Sequence, residues 1–322
     1  MSTRTKYKLK PDVFLYLAVI IVLIVMANKG INAYKDYKYK KTTEYKLISV
    51  GYSKKDIKIL SKYFKEKDLI KLSKTKKDNK LLSLITNKNY LNKHYQDYQD
   101  YMDLNPDKTV NDVVNTVNLH LNYSFYEDTK KTDTSKNNLI LVNKFNYLED
   151  NYVPDDLNVI TSKYSWGSNG SQKTRAEVLE QFLKMHEDAE ANNIYLMVML
   201  SYRDYNEQAN IYNEYKEYHG EAYADKIAAR PGFSEHQTGL ALDIFSLKDS
   251  LQSTFKDSET YEWLKNNAYK YGFIIRYPEG KEKITGFTFE PWHYRYVGIE
   301  DAKKIHDLDI TFEEYYTYYI DK

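Results

Sequence analysis

Two histidines and one aspartate in the C-terminal half of the chain are of the types that hold a catalytic metal ion. Asp243 stands seven positions after His236, and His293 follows fifty positions after Asp243. Two imidazoles and one carboxylate, with a fourth position left to water, form a common catalytic zinc site. Neutral imidazole suits zinc better than magnesium or calcium. The residue types therefore predict one zinc ion (Zn2+) per chain, held by His236, Asp243 and His293.

The spacing of these residues sets a condition on the backbone. Seven residues of extended strand span about 23 Å, whereas the ligand atoms of one ion must lie within a few ångströms of each other. Gly239 stands between His236 and Asp243, and glycine readily adopts the backbone angles of a turn. We therefore expect His236 on a loop and Asp243 on the strand that follows it.

Glu290 is the candidate general base of such a site. A catalytic zinc ion lowers the pKa of water, but a nearby carboxylate must still accept the proton and pass it on. Glu290 stands three positions before His293, an offset that would point the two side chains to opposite faces of a regular strand. Pro291 interrupts strand hydrogen bonding and allows a local bend. We therefore expect Glu290 to face the attacking water.

Arg203 is the candidate partner for negative charge on a substrate. It follows an apolar segment at residues 194–200, which reads as a strand. A guanidinium there can hold the charge that develops on a carbonyl oxygen, or it can clamp a terminal carboxylate with two hydrogen bonds. The sequence leaves both roles open. The polar residues that we expect to contact the substrate are Tyr202, Gln208 and Ser234.

The elements that must position these residues mix helices with short strands, which predicts an α+β fold. In the N-terminal part, Ser53 is the expected N-cap of a helix, and helices are predicted at residues 53–63 and 67–74. In the C-terminal part the predicted helices are residues 175–192, 206–219, 258–271 and 299–319. The predicted strands are residues 139–142, 194–201, 240–245, 273–277, 285–290 and 294–297.

Three segments of the chain closely resemble the signatures of the VanY-type D-alanyl-D-alanine carboxypeptidases, a family of zinc peptidases that includes L,D-carboxypeptidases. The first segment, residues 229–244, contains SEHQTGLALD. The second reads GFIIRYP at residues 272–278, and the third reads EPWHYRYVG at residues 290–298. The resemblance extends from about residue 143 to residue 314. It implies a small antiparallel-sheet zinc peptidase domain of the hedgehog/VanY type.

The family pattern assigns a role to each candidate residue. It implies that His236, Asp243 and His293 bind zinc and that Glu290 is the catalytic base. It implies a catalytic role for Arg203, with Gln208 and Ser234 lining the substrate. The implied activity is the removal of terminal D-alanine from peptidoglycan stem peptides.

The chain departs from the family pattern just before Arg203. The family commonly reads Ser-Gly-Tyr-Arg-Ser, whereas this chain has Leu200 in place of the first serine and Asp204 in place of the last. The arginine is kept, so the departures concern substrate preference more than catalysis. They leave open whether the enzyme prefers a D,D bond in a pentapeptide stem or an L,D bond in a tetrapeptide stem.

An apolar segment near the N-terminus predicts where the chain works. Residues 13–27 carry no charge and follow Arg4, Lys6, Lys8 and Lys10. Fifteen helical residues rise about 22 Å, less than the roughly 30 Å hydrocarbon core. The segment is therefore either an uncleaved anchor with flanking lysines at the interface or a secretory signal. Both predict a basic N-terminus inside the cell and the remainder outside.

Composition excludes some classes of partner and of metal site. The net charge of +1 gives no overall field that favours nucleic acid, and the absence of cysteine excludes disulfides and thiolate metal sites. We predict a cytoplasmic tail and signal-anchor at residues 1–28, a lysine-rich helical stalk or accessory region at 29–138, and the zinc carboxypeptidase domain at 139–322. The expected partners are peptidoglycan stem peptides and the cytoplasmic membrane, the latter through residues 13–27.

Two other functions remain compatible with these residues. A peptidoglycan endopeptidase of the same fold would need the same metal ligands and base, so the motifs do not separate it from a carboxypeptidase. A non-catalytic wall-binding module would be expected to have lost a ligand or the base, and the chain retains all four.

Overall fold

The computed structural model describes residues 11–166, 172–246, 248–249 and 255–321. The predicted tail cations Arg4, Lys6, Lys8 and Lys10 lie outside these residues. Two compact units are present, residues 1–95 with 107–114, and residues 96–106 with 115–322. The predicted boundary at residue 139 stays a prediction.

The first helix, α1 (Pro11–Lys40), contains the predicted apolar segment. Among the described residues it is the one helix long and apolar enough to cross a membrane, and a signal sequence would meet the same criteria. Membrane anchoring therefore stays a prediction.

Short helices with a shared apolar core form most of the first unit. They are α2 (Thr43–Ser49), α3 (Lys54–Tyr63), α4 (Glu66–Leu72) and α5 (Asn79–Ile85). The expected cap is present, because the Ser53 side chain accepts from the backbone N–H of Asp56 and the Asp56 carboxylate accepts from that of Ser53. The helices α6 (Tyr95–Leu104) and α7 (Val110–Asn118) follow in the chain. The buried apolar residues of this unit's core are Leu47, Tyr52, Leu60, Leu69, Leu81, Leu82 and Ile85.

A four-stranded antiparallel sheet is the centre of the second unit. Its strands are β5 (Leu196–Leu200), β6 (Ala241–Ser246), β8 (His293–Tyr296) and β7 (Phe273–Ile275), in that order across the sheet. The strands β5 and β6 are neighbours with an irregularity between Val198 and Leu200. The predicted mixture of helices and short strands is confirmed.

Helices pack against this sheet. The helix α8 (Ala176–Glu190) contributes Val178, Phe182 and Met185 to the main core, where they meet inward residues of the sheet such as Leu242 and Ile244. The remaining helices are α9 (Tyr205–His219), α10 (Glu221–Ile227), α11 (Glu259–Asn267), α12 (Glu282–Thr285), α13 (Ile299–Leu308) and α14 (Phe312–Tyr315). The smaller strands are β1 (Lys130–Lys131) with β2 (Asn146–Tyr147), and β3 (Leu157–Val159) with β4 (Lys173–Arg175).

Two predicted strands are wrong. Residues 140–142 are buried and Leu139 is partly buried, but all four lie outside any ladder. The carbonyl of Ile140 accepts from the Arg295 side chain and that of Leu141 from Thr132. Side chains therefore satisfy these backbone groups where a neighbouring strand was expected. At residues 285–290, α12 ends at Gly286 with a left-handed φ of 79°, and no strand follows before His293. The chain turns there instead of continuing as the predicted strand.

Candidate metal centre and active site

A short 3₁₀ helix and a glycine turn bring His236 back to the sheet. The helix spans Glu235–Thr238, and Gly239 ends it with a left-handed φ of 67°. A Cβ at this position would lie 3.0 Å from side-chain carbons of both Arg175 and Leu157, so a larger residue would have to displace them while also straining a left-handed backbone. The strand β6 begins two residues later, at Ala241. The expected arrangement of a loop histidine before a strand aspartate is present.

The sheet register places the other two candidate ligands side by side. Asp243 on β6 is the direct antiparallel partner of His293, the first residue of β8. Directly opposed residues of antiparallel strands project their side chains to the same face. All three candidate ligands are buried.

The ligand atoms are spaced as a tetrahedral ion requires. Asp243 Oδ1 lies 3.0 Å from His293 Nδ1 and 3.6 Å from His236 Nε2, and the three candidate atoms all lie within 4.8 Å of one another. Ligands about 2.1 Å from a tetrahedral zinc ion are about 3.4 Å apart. The set is the one group of three or more such side chains found among the described residues.

The hydrogen bonds around His236 and Asp243 leave a nitrogen of one and an oxygen of the other free to bind a cation. The His236 Nδ1 atom lies 2.7 Å from the carbonyl oxygen of Ser201. A carbonyl can only accept, so Nδ1 carries the hydrogen and Nε2 keeps its lone pair toward Asp243. The buried Asp243 Oδ1 atom lies 3.0 Å from His293 Nδ1 but accepts no hydrogen bond of normal geometry from any described residue. An orphaned carboxylate oxygen between two imidazoles fits a zinc ion.

Burial and neighbouring charges set the protonation of these groups. Burial lowers the pKa of His236 to about 3, so its imidazole is neutral, as a metal ligand must be. Burial acts to raise the pKa of Asp243, but His236 and His293 outweigh it and hold the pKa below its usual value. Burial acts to lower the pKa of His293, yet Asp243 and Glu235 raise it to about 9 in the metal-free protein. An ion bound at Nδ1 must therefore displace a proton from this imidazole.

A tight turn directs Glu290 toward His293. The backbone N–H of His293 donates to the carbonyl of Glu290 over 3.2 Å, so these residues form a turn with Pro291 as its second residue. The Glu290 Oε2 atom lies 3.7 Å from His293 Nδ1. Burial raises the pKa of Glu290 to about 7, a value at which a carboxyl group can both accept and release a proton near neutral pH.

Gln208 fixes the position of Arg203. Arg203 Nε donates to Gln208 Oε1 over 2.7 Å, and Gln208 Nε2 donates to the carbonyl of Ala229 over 2.6 Å. The Gln208 side chain is therefore engaged on both sides and is 1% exposed. Burial lowers the pKa of Arg203, but a guanidinium keeps its charge in proteins.

The candidate residues share one open cavity of about 490 Å³. Its wall includes Leu200, the partly exposed residue at which the chain departs from the family pattern, and the buried Tyr277, which the sequence predictions did not include. Tyr202 is not among the described residues that line it. The predicted site residues on its wall are Arg203, Gln208, Ser234, His236, Asp243, Glu290 and His293.

Comparisons with known proteins identify the family of this chain. The VanY family model, described as D-alanyl-D-alanine carboxypeptidase, matches residues 171–299. The Bacillus subtilis protein YodJ, which is named as a carboxypeptidase, is 40% identical over 205 residues, or 61% of this chain and 75% of YodJ. The chain belongs to the VanY-type carboxypeptidase family. The family predicted from the sequence is thus confirmed.

Two further comparisons extend this result. A D-alanyl-D-alanine carboxypeptidase of Enterococcus faecalis is 37% identical over 192 residues, or 57% of this chain and 67% of that protein. The solved structure of the LdcB LD-carboxypeptidase has a TM-score of 0.56 and 39% sequence identity, covering 60% of this chain and 91% of that one. The VanY-type domain therefore has an LdcB-like fold.

The structure explains one departure of this VanY-type chain from its family. Asp204 is the N-cap of α9: its carboxylate accepts from the backbone N–H of Glu207 over 2.8 Å, and the Glu207 carboxylate accepts from that of Asp204 over 2.9 Å. Asp204 therefore starts the helix that carries Gln208. A second departure, Leu200, places an apolar side chain that is 37% exposed on the cavity wall.

A buried ionic cluster behind the candidate ligands was missed from the sequence. Glu235 Oε1 accepts from Arg276 Nε over 2.8 Å and from Arg295 Nη1 over 2.6 Å. Arg276 also forms two hydrogen bonds with the carboxylate of Glu313. The second oxygen of Glu235 lies 3.7 Å from His293 Nε2.

Burial would raise the pKa of Glu235, but the charges of Arg276 and Arg295 outweigh it, so the pKa is well below its usual value. One indication of this cluster was present in the sequence. Both arginines stand in the second and third signatures among mostly apolar and aromatic residues. Arginine is almost never buried without a partner, so their positions indicate a buried carboxylate.

Proposed function

We propose that this chain is a zinc-dependent carboxypeptidase that removes terminal D-alanine from peptidoglycan stem peptides. The observation that carries the proposal is the buried set of His236, Asp243 and His293 with Glu290 beside it on the wall of one cavity. Membership of the VanY-type family supports it, as do relatives named D-alanyl-D-alanine carboxypeptidase.

One zinc ion per chain would be held by His236 Nε2, an oxygen of Asp243 and His293 Nδ1. A bound zinc ion supplies a Lewis acid that polarises a carbonyl and lowers the pKa of water. The unpaired Asp243 oxygen and the assigned tautomer of His236 support this ligand set.

Glu290 would move the proton that hydrolysis requires. Its carboxylate accepts a proton from the attacking water and later gives that proton to the leaving amine of D-alanine. Burial raises the pKa of Glu290 to about 7 in the metal-free protein, and the charge of a bound ion would act against this rise. The carboxylate would then be ionised near neutral pH and able to accept a proton from water.

Arg203 would stabilise negative charge on the substrate. Its guanidinium lines the cavity shared by the candidate ligands and is held in place by Gln208. It can hold the oxygen on which charge develops as water attacks. It can also bind the terminal carboxylate that every carboxypeptidase substrate carries. Ser234 lies on the same wall and can donate a hydrogen bond to the peptide.

The anchor and the domain boundaries belong to the same proposal. Residues 13–27 within α1 would anchor the chain to the cytoplasmic membrane, residues 29–138 would form a stalk or accessory region, and residues 139–322 would act on the wall outside the cell. The apolar composition and length of α1 support the anchor.

The direct test is to incubate the full-length chain, with added zinc or with a chelator, with synthetic penta- and tetrapeptide stems and with a cross-linked stem dimer. Mass spectrometry of the products should show loss of one alanine from a linear stem only when zinc is present. Release that is insensitive to the chelator would contradict the role of the metal. Cleavage of the dimer cross-link without trimming of linear stems would identify an endopeptidase instead.

A further inference from the structure

One face of α9 extends the catalytic cavity away from the candidate metal ligands. The residues of α9 that line the cavity recur every three or four positions, so they lie on one side of the helix. From Gln208 to His219 the helix rises about 16 Å. The cavity-lining residues of this face are Gln208, Ile211, Glu214, Tyr215, Tyr218 and His219.

The length of this face indicates which part of a substrate it meets. An extended peptide spans about 3.3–3.6 Å per residue, so a wall of about 16 Å matches four or five residues. Under the proposed function only one residue lies downstream of the cleaved bond. The far part of the wall must therefore face residues upstream of that bond.

The chemistry of the wall changes along this length. Next to Gln208, Ile211 provides an apolar surface. Beyond it stand Tyr215, which is half-exposed, and Tyr218, which is 74% exposed. The ring of His219 lies 4.7 Å from that of Tyr223. Exposed apolar and aromatic surface beside a cavity is typical of a ligand-binding groove.

Glu214 introduces a negative charge into this surface. It lies on the cavity wall about 9 Å along the helix from Gln208, and no described cation lies within salt-bridge distance of its carboxylate. The cavity's other carboxylates have roles of their own, since Glu235 is paired with two arginines while Asp243 and Glu290 belong to the metal site. A free carboxylate at this distance can pair with a cation on the substrate.

We propose that this face of α9 binds the stem peptide upstream of the cleaved bond, and that Glu214 selects substrates with a primary amine on an upstream side chain. This inference rests on the proposed function and adds a specificity-determining residue to it.

The test uses two peptide pairs and the full-length, zinc-loaded chain. One pair ends in lysyl-D-alanyl-D-alanine and the other in lysyl-D-alanine; within each pair the lysine amine is either free or acetylated. An exposed ion pair changes affinity by about two- to fivefold. The wild type should therefore prefer the free amine by this factor, mainly through KM. Glu214→Gln should abolish the preference, and Glu214→Lys should reverse it.

Glu217→Gln is the matched control, because Glu217 is exposed on the same helix and is not among the described residues that line the cavity. It should keep the wild-type preference. Equal loss of activity on free and acetylated peptides in Glu214→Gln, or no preference in the wild type, would overturn the proposal.

A binding measurement separates this inference from the proposed function. Calorimetric titration of the same peptides into the Glu290→Gln variant reports recognition without turnover. Preference for the free amine that disappears in the Glu214→Gln/Glu290→Gln double variant would support the subsite even if no peptide were hydrolysed. Turnover of both peptides by the wild type with equal binding would leave the proposed function intact and contradict the subsite.

Discussion

Replacement of Glu235 by glutamine tests how strongly the buried ionic cluster stabilises the second unit. Glu235, Arg276 and Arg295 have side chains that are 0% exposed. The Glu235→Gln change keeps the shape of the side chain but leaves one uncompensated positive charge among the two arginines and Glu313. Removing one partner of a buried ion pair typically costs about 3–5 kcal/mol.

The expected magnitude is about 3 kcal/mol in the free energy of unfolding, the lower end of this range, since the glutamine oxygen can still accept from an arginine. This corresponds to roughly a 150-fold change in the unfolding equilibrium constant. With a urea dependence of about 3 kcal/mol per molar, the unfolding midpoint should fall by about 1 M.

Tryptophan fluorescence is a suitable measurement, because all three tryptophans, Trp166, Trp263 and Trp292, belong to the second unit. Urea unfolding of the full-length chain should be followed with a chelator present, so that metal binding does not contribute. Glu187→Gln, at an exposed position of α8, is the control and should change stability by no more than about 0.5 kcal/mol. A midpoint for Glu235→Gln equal to that of this control would refute the stabilising role of the cluster.

Three further predictions concern separate features. In the first unit, the side-chain hydrogen bond with Lys77, together with the Ser53 cap, lowers the pKa of Asp56 to about 2. Its stabilising contribution is therefore complete above the unfolded value of about 4 and is lost as the pH falls toward 2. Asp56→Asn should remove this dependence, as measured by helical circular dichroism. Gly239→Ala should weaken zinc binding in a chelator competition, because its Cβ would crowd Arg175 and Leu157 and its backbone would be strained at a left-handed φ; unchanged affinity would contradict the turn's role. Gln208→Leu should reduce kcat/KM by releasing Arg203 while leaving zinc content unchanged; loss of zinc would show that the change acts elsewhere.

The ligand set could be named from the sequence because its signals are local. Residue types indicate zinc, and Gly239 predicts the turn that separates a loop histidine from a strand aspartate. The proximity of His293 to Asp243 depends on strand register across fifty positions, which spacing alone does not give. The prediction of His293 as the third ligand rested on its residue type and on the family resemblance. The roles of these residues stay a proposal.

Other features could not be predicted because they depend on tertiary packing. Glu235 stands inside a recognised motif, yet only the fold shows that two arginines from distant segments meet its carboxylate. The apolar residues 139–142 looked like a strand, but side chains of Thr132 and Arg295 satisfy two of their carbonyls. Asp204 was noted as a departure from the family pattern that bears on substrate preference, and the structure shows that it is a helix cap.

The most direct test of the central claim is a paired measurement on Glu290→Gln. Metal analysis of the purified full-length variant should give one zinc ion per chain, as in the wild type, because Glu290 is not a ligand in the proposed site. D-alanine release from a stem peptide should fall by about 10²- to 10⁴-fold, the usual contribution of a general base. A zinc-loaded variant with near-normal turnover, or wild-type chain that releases D-alanine without any metal, would contradict the account.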